Sequence, residues 1–240
     1  GGGGDHFAKA GANDRVWNVL EKHCLADPAN FASYYASDAI AMASEAWLGR
    51  GYQMTAQVNR VNPGGAAQKP HRDYHLGFML PEQKTGFPVH VHRMSPFLTL
   101  QGAVAHCDMP LESGPTQLLP FSQQFLEGYL AFGRDAFQQH FAQNHIQIPL
   151  EKGDIVFFNP AIMHAAGENL SQDIYRMGNL LQVSSAFGRA METVDRHNMS
   201  KILYPALLAA RKNTAISDLG IKNAIAACAE GYSFPTNLDT

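Results

Sequence analysis

The apolar residues divide the chain into a helical beginning and a long middle region with the pattern of strands. From Asp14 to about Leu48 they recur at helical spacing, and Gly49 and Gly51 end that pattern. Beyond Gly51 the apolar residues alternate or form short runs, which is typical of strands. Eight strands are predicted, over residues 52–61, 70–77, 97–106, 115–120, 146–150, 154–159, 162–167 and 174–184.

Turns rich in glycine and proline separate these runs, and no helix alternates regularly with them. The turns fall at residues 62–65, 112–115 and 151–154, where Gly and Pro supply the backbone angles of tight connections. Short strands without crossover helices favour antiparallel sheets that close as a jelly roll.

Helices are predicted in three further places. An aromatic-rich insertion over residues 122–142 has helical spacing and should pack on the outside of the sheets. Residues 195–211, broken by Pro205, and residues 216–230 form the last two predicted helices. We therefore expect a mainly β jelly roll with flanking helices, in a single domain over residues 5–240 whose core covers about 52–185.

Net charge, the length of apolar runs and the cysteines limit the classes of function that the sequence predicts. The formal net charge is −3 and the pI about 6.4, so a basic surface for nucleic acid is not expected. No apolar stretch approaches the roughly 18 residues that span a bilayer. Three widely spaced cysteines, Cys24, Cys107 and Cys228, are typical of a reducing cytoplasmic setting. We expect a cytoplasmic protein with a small-molecule substrate, and the sequence leaves its oligomeric state open.

His71 and Asp73 are the first candidate metal ligands. On an extended strand, residues two apart point to the same face, about 6.5 Å apart along the chain, so both can bind one ion. His164 follows the apolar run 154–160 and is the best candidate for a third ligand. Two histidines and one carboxylate leave three positions open on a metal, an arrangement suited to Fe(II) oxygenases.

Arg176 lies twelve positions after His164 in a strand whose alternation points it inward. A buried guanidinium needs an anion, and its planar fork binds a carboxylate through two hydrogen bonds. A dicarboxylate co-substrate would supply that anion, with its keto-acid end on the iron. The alternative is a structural salt bridge to an acid such as Asp154 or Glu168.

These residues resemble the phytanoyl-CoA dioxygenase family of Fe(II)- and 2-oxoglutarate-dependent oxygenases. The resemblance covers residues 52–185 and depends on His71-Arg72-Asp73, on the segment 112–123, and on His164 followed by Arg176. It implies a double-stranded β-helix, Fe(II), 2-oxoglutarate, dioxygen, and hydroxylation of an unactivated C–H bond with release of succinate and CO2. Halogenating relatives lack the carboxylate, so Asp73 favours hydroxylation.

The sequence also departs from the family pattern, since Phe121 and Gln123 replace the usual Gly and His of the segment 112–123. Ala166 stands where a hydroxyl residue often helps to bind the co-substrate, and we expect Thr99 and Gln101 to substitute for it. Arg72 and His75 are candidate substrate contacts, and no further catalytic side chain is expected beyond the metal ligands.

Two alternatives stay open at the level of sequence. His106 and Asp108 form a second His-x-Asp pair 58 residues before His164, and we favour His71 and Asp73 because the rival pair leaves only about four strands before Arg176. A cupin-like metal-dependent isomerase or small-molecule sensor on the same fold is the alternative function. His90 and His92 would suit such a protein, but no glutamate follows them at the required spacing.

Overall fold

The strands and helices follow the predicted order closely. The computed structural model describes residues 12–75, 79 and 81–230, so the expected domain start at residue 5 and the end of the predicted strand 70–77 lie outside the described residues. Eight strands occur in this part of the chain: β1 (Asn13–Val16), β2 (Gln53–Val61), β3 (Thr99–Ala105), β4 (Thr116–Leu118), β5 (Ile146–Gln147), β6 (Ile155–Phe158), β7 (His164–Ala166) and β8 (Arg176–Ser184).

Nine α-helices accompany these strands within the same described ranges. They are α1 (Val19–Ala26), α2 (Pro28–Tyr35), α3 (Asp38–Leu48), α4 (Pro81–Thr85), α5 (Val89–Met94), α6 (Gly128–Ala131), α7 (Asp135–Asn144), α8 (Arg196–Lys212) and α9 (Asp218–Ala229). None of these helices is long and apolar enough to cross a membrane.

The strands form two sheets. The five-stranded sheet has the order β1-β2-β8-β3-β6, and the three-stranded sheet has the order β5-β4-β7. The pairs β1–β2, β3–β6, β4–β5 and β4–β7 are all antiparallel, as the turn pattern predicts. Two of the registers concern the candidate site, since Gln101 lies opposite Phe158 and Leu118 lies opposite His164.

The helical prediction for the start of the chain is wrong over its first residues. Asn13–Val16 is a strand, β1, which pairs with the end of β2 from Asn13–Val61 to Val16–Val58. Four residues with one strong apolar side chain carry no reliable period, so the ladder with β2 decides their conformation. The helices predicted after them are present as α1, α2 and α3.

Two other predicted elements also differ. Residues 70–75 are not a continuous strand; His71 makes an isolated bridge to His164. Pro70 lacks the N–H that a regular ladder needs. The helix α8 is not broken at Pro205 but runs through it, because buried Met199, Leu203 and Leu207 hold both halves against one apolar surface.

The chain forms two compact units. Of the described residues, unit 1 contains 12–17, 58–75, 79, 81–96 and 101–180, and unit 2 contains 18–57, 97–100 and 181–230. In unit 2, buried side chains of α1, α2, α8 and α9 form an apolar core that includes Leu20, Phe31, Leu203 and Ala227.

Unit 1 contains both the metal-ligand candidates and the helical insertion. The insertion comprises a short 3-10 turn, α6 and α7, close to its predicted bounds. Phe141 of α7 is fully buried and packs with Leu119, Met163 and Ala165. The insertion therefore covers residues that flank β4 and β7.

Gly114 explains one part of the segment that resembles the family. Its φ is +71°, and a side chain there would collide with the carbonyl groups of Gly167 and Glu168. Only glycine combines that backbone angle with so close an approach. The segment is thereby held against the residues that follow β7, and its Leu118 lies opposite His164.

Candidate metal centre

The backbone brings His71 and His164 together directly. Each residue donates its N–H to the carbonyl oxygen of the other, with both N–O distances 2.9 Å. Residues opposite each other in such a pair project their side chains to the same side, and the two imidazole centroids lie 4.6 Å apart. His164 also pairs with Leu118 on its other side, so the position of its backbone is fixed by neighbours on both edges.

The two imidazoles use the same ring nitrogen, Nδ1, for a hydrogen bond to a backbone carbonyl. Nδ1 of His71 lies 2.8 Å from the carbonyl oxygen of Lys69, and Nδ1 of His164 lies 2.8 Å from that of Ile162. A carbonyl oxygen only accepts, so each Nδ1 carries a proton, and Nε2 is the nitrogen through which each ring could bind a metal. Metal-binding histidines are oriented in this way.

Asp73 completes the cluster with its carboxylate. Its Oδ1 lies 3.8 Å from Nε2 of His71 and its Oδ2 lies 3.6 Å from Nε2 of His164. The amide nitrogen of Gln101 donates to Oδ2, and the backbone N–H of Asp73 donates to the carbonyl of Pro160 at 3.1 Å.

The ionised form of the Asp73 carboxylate is favoured although the residue is buried. Burial alone would raise the pKa of Asp73, but the neighbouring imidazoles of His164 and His71 and the amide of Gln101 outweigh it and hold the pKa well below its usual range. Asp73 is therefore ionised at neutral pH, which is the state that binds a cation.

The three side chains form a donor set that one ion can satisfy. One ligand atom from each of His71, Asp73 and His164 lies within 4.8 Å of the others, and this is the metal-type cluster found among the described residues. Two ligands of one ion lie at most about 4.2 Å apart when each bond is about 2.1 Å, so the separations of 3.6 and 3.8 Å are compatible with a shared ion. Two imidazoles and one carboxylate suit a divalent transition metal.

Arg176 is buried at the start of β8, and its charge has no acidic partner in the described part of the chain. The residue is 7% exposed, and burial lowers the pKa of its guanidinium to about 10. Neither Asp154 nor Glu168 forms a salt bridge with it within the described ranges; instead Asp154 accepts a hydrogen bond from the backbone of Glu151. The guanidinium therefore remains charged at neutral pH without a carboxylate counterion among the described residues.

The other predicted site residues have varied surroundings. Gln101 contacts Asp73, as described, and Thr99 is buried two residues earlier on β3. Nδ1 of His75 lies 3.1 Å from Oγ of Ser95, which also accepts the backbone N–H of His75. Arg72 is buried and donates to the carbonyl oxygen of Ser122. It stays a prediction that Thr99 and Gln101 contact a co-substrate. It also stays a prediction that Arg72 and His75 contact a substrate.

The second His-x-Asp pair, His106 and Asp108, is not part of the cluster of candidate metal ligands. Asp108 lies on an exposed turn, where its Oδ1 accepts the backbone N–H of Lys152 at 2.8 Å. His90 and His92 lie on the helix α5 rather than on a strand, and His92 packs edge-on against Tyr74. Within the described residues, the three favoured ligands converge and these alternatives do not.

The sequence did not identify the residues that support the ligands. The amide of Gln101 and the carbonyl groups of Lys69 and Ile162 orient the ligand side chains. A carbonyl two residues before each histidine has no sequence signature, because every residue has one. Gln101 was singled out, but for a different contact.

We expect Gln101→Leu to weaken metal binding. The substitution replaces the donor to Asp73 with an apolar side chain of similar size. Loss of such a partner typically costs about 10–100-fold in metal affinity. Competition with a fluorescent chelator measures the affinity. Gln139→Leu, on the exposed face of α7, is the matched control. Unchanged metal affinity with a weakened 2-oxoglutarate affinity would instead favour the co-substrate role for Gln101.

The fold and the cluster together define a class of protein. Two histidines and one carboxylate on one face of a metal are the ligand arrangement of mononuclear non-haem Fe(II) oxygenases. The chain belongs to the phytanoyl-CoA dioxygenase family, since the family model of phytanoyl-CoA dioxygenase matches residues 3–178.

Two curated relatives agree with this assignment. Dioxygenase FrzG of Cladobotryum sp is 30% identical over 136 residues, which are 53% of this chain and 39% of that protein. Dioxygenase aneA of Aspergillus aculeatus is 29% identical over 140 residues, 58% of this chain and 42% of that protein. The chain thus matches about two fifths of the length of these relatives.

The solved structure is that of SnoN, a non-haem alpha ketoglutarate dependent epimerase from nogalamycin biosynthesis. It matches 75% of this chain and 66% of its own with a TM-score of 0.53 and 20% identity. At that identity, the likeness is one of fold.

Proposed function

We propose that this protein is an Fe(II)- and 2-oxoglutarate-dependent dioxygenase that hydroxylates an unactivated C–H bond of a small organic molecule and releases succinate and CO2. The observation that carries the proposal is the convergence of His71, Asp73 and His164 in the same compact unit as a buried arginine, Arg176, that has no acidic partner in the described chain. Family membership supports it. So does the likeness of fold to SnoN, whose structure has also been solved with Fe3+ and alpha ketoglutarate.

The donor set fits Fe(II). Nε2 of His71, Nε2 of His164 and an oxygen of Asp73 would hold the ion on one face and leave three positions for exogenous ligands. We infer that Gln101 orients Asp73, and that the rings of the two histidines are held by their own backbone carbonyls. The ring of Phe158, 4.9 Å from that of His164, supplies an apolar wall.

Arg176 fits the far carboxylate of 2-oxoglutarate. A guanidinium binds a carboxylate through two parallel hydrogen bonds, and burial strengthens such a pair once both charges are present. Thr99 and Gln101 are proposed as further co-substrate contacts, and Arg72 and His75 as substrate contacts. We also propose that the two sheets close as a double-stranded β-helix in one domain over residues 5–240.

The chemistry of oxidation would come from the bound iron, 2-oxoglutarate and dioxygen. The protein's own residues bind and orient these groups and limit the access of water. Asp73 occupies a ligand position that a halide would need, which favours hydroxylation over halogenation. None of the described residues has to act as a general acid or base in this scheme.

The proposal predicts oxygen-dependent decarboxylation of 2-oxoglutarate. Purified protein with Fe(II), ascorbate and 2-oxoglutarate in air should form succinate slowly, and faster when a library of small molecules contains the substrate. The same mixture without oxygen is the control. Metal-dependent thermal stabilisation without any succinate, and without an effect of 2-oxoglutarate, would favour the metal-dependent isomerase or sensor instead.

A further inference from the structure

The thiols of two cysteines meet inside unit 2. Cys24 of α1 and Cys228 of α9 are both free and buried, with at most 1% of either residue exposed. Their side chains share a hydrogen bond, so the two sulfur atoms are neighbours. The candidate metal centre uses neither residue. Two free thiols in contact can be oxidised to a disulfide.

The helix α8 holds both sulfur atoms in place. Sγ of Cys24 lies 3.7 Å from the carbonyl oxygen of Met199, and Sγ of Cys228 lies 3.9 Å from Oγ of Ser200. Met199 and Ser200 are consecutive residues of α8, and α1 and α9 both pack on this helix. The two thiols are therefore brought together by the helix packing of unit 2 rather than by a chance approach of surface side chains.

The surroundings make the two thiols chemically unequal. The hydrogen bond from Cys24 lowers the pKa of Cys228, against the effect of burial. Ser200 and the positive charge of Arg196 act on it in the same direction. The interaction with Cys228, together with burial, raises the pKa of Cys24. Since the thiolate is the nucleophile in thiol oxidation, Cys228 is the attacking sulfur and Cys24 is the one that closes the disulfide.

Arg196 is held next to Cys228 by the end of α9. Its guanidinium donates to the carbonyl oxygens of Ala227 and Cys228 at 3.1 and 3.2 Å. These carbonyl groups belong to the last turn of the helix, where a cation is favoured by the helix dipole. The positive charge beside the thiol is thus fixed by hydrogen bonds to its own backbone.

The position of Cys228 also gives a small oxidant a route to the pair. Cys228 lies one residue before the end of α9 at Ala229, and both Ala229 and Glu230 are exposed. The last turn of a helix opens more readily than its interior. Opening of this turn exposes Cys228 while the rest of α9 stays packed.

We propose that Cys24 and Cys228 form a reversible disulfide when the protein meets hydrogen peroxide, and that this bond ties α1 to α9 and stabilises the fold. The thiolate of Cys228 attacks one oxygen of the peroxide, the O–O bond breaks, and the hydroxide that leaves takes up a proton to form water. The thiol of Cys24 then attacks the sulfur of the sulfenic acid, so that the S–S bond forms, the S–O bond breaks and a second water leaves. The two thiols lose two electrons, and one peroxide becomes two waters.

The proposal goes beyond the proposed function and does not depend on it, because neither cysteine belongs to the candidate metal centre. Cys107 provides a comparison within the same chain. It belongs to unit 1, and its Sγ lies 3.8 Å from the carbonyl oxygens of Tyr175 and Met177. Its described contacts are thus with backbone groups rather than with a second thiol.

Peptide mapping of the metal-free full chain tests the proposal. Chelator is present throughout, the protein is treated with a small excess of hydrogen peroxide, and remaining thiols are alkylated after denaturation before digestion and mass spectrometry. We expect a linked pair of peptides that contain Cys24 and Cys228, which dithiothreitol separates, with Cys107 outside the link. Full alkylation of both cysteines, a link to Cys107, or irreversible oxidation of Cys228 without a link would overturn the proposal.

Thermal unfolding of the same samples tests the effect of the bond. We expect the oxidised chain to unfold about 4–16 °C above the reduced chain, as a disulfide across a long loop typically gives in a domain of this size. Cys24→Ala should show neither the link nor the rise, whereas the control Cys107→Ala should show both. An equal rise in Cys24→Ala, or no rise in the linked protein, would contradict the proposal, and the mapping of the unmodified chain stands whether or not either variant folds.

Discussion

Asp73→Ala is expected to lose iron almost completely, from about one ion per chain to a small fraction of that, and to lose 2-oxoglutarate turnover with it. The substitution removes the one charged ligand and leaves two neutral imidazoles, whose Nε2 atoms alone give a weak site. The loss should exceed the roughly 10–100-fold effect of removing an outer partner such as Gln101. Iron content after anaerobic reconstitution, measured by mass spectrometry, tests this expectation.

Asp108→Ala is the matched control. Asp108 belongs to the rival His-x-Asp pair but accepts a backbone hydrogen bond from Lys152 on an exposed turn. We expect this variant to keep its iron and its turnover. Iron retained by Asp73→Ala and lost by Asp108→Ala would transfer the ligand assignment to the second pair.

Arg176→Met has the second largest expected effect. We expect the dissociation constant of 2-oxoglutarate to rise about 10–150-fold, because a charge-assisted hydrogen bond contributes roughly 1.5–3 kcal/mol, while the iron affinity stays the same. Titration of the Fe(II) protein with 2-oxoglutarate under anaerobic conditions measures the constant. Arg60→Met is the control, since Arg60 is an exposed partner of Asp14.

The same variant should have a second property that a structural arginine would not give. Removing a buried charge that has no acidic partner in the described chain relieves its desolvation cost, so metal-free Arg176→Met should unfold at the same or a higher temperature than the unmodified protein. A marked loss of stability in the metal-free state, with unchanged 2-oxoglutarate affinity, would mean that Arg176 serves the fold instead.

The sequence predicted the elements whose pattern is long or strongly apolar. Strands β2, β3 and β8 and helix α9 lie close to their expected bounds, because each has a long or strongly apolar pattern. The hydrophobic pattern predicted the wrong element where pairing with a strand distant in sequence determines the backbone conformation. The polar segment Asn13–Val16 is a strand only through its ladder with β2.

The candidate site was predictable in its ligands but not in their support. Residue type and spacing single out His71, Asp73 and His164, since few side chains bind metals and alternation places the first two on one face. The bridge between His71 and His164, and the bond from Gln101 to Asp73, join residues that are far apart in sequence. Lys84 illustrates the same limit, because a lysine in a short polar helix usually faces solvent, whereas tertiary packing buries this one against Phe132.

A crystal structure of the protein with Fe(II) and 2-oxoglutarate, prepared without oxygen, tests the central claim most directly. We predict a single ion bonded to Nε2 of His71, Nε2 of His164 and the carboxylate of Asp73, with the far carboxylate of 2-oxoglutarate paired to the guanidinium of Arg176. An ion bound elsewhere, or Arg176 paired with an acid of the protein while 2-oxoglutarate lies in another place, would contradict it.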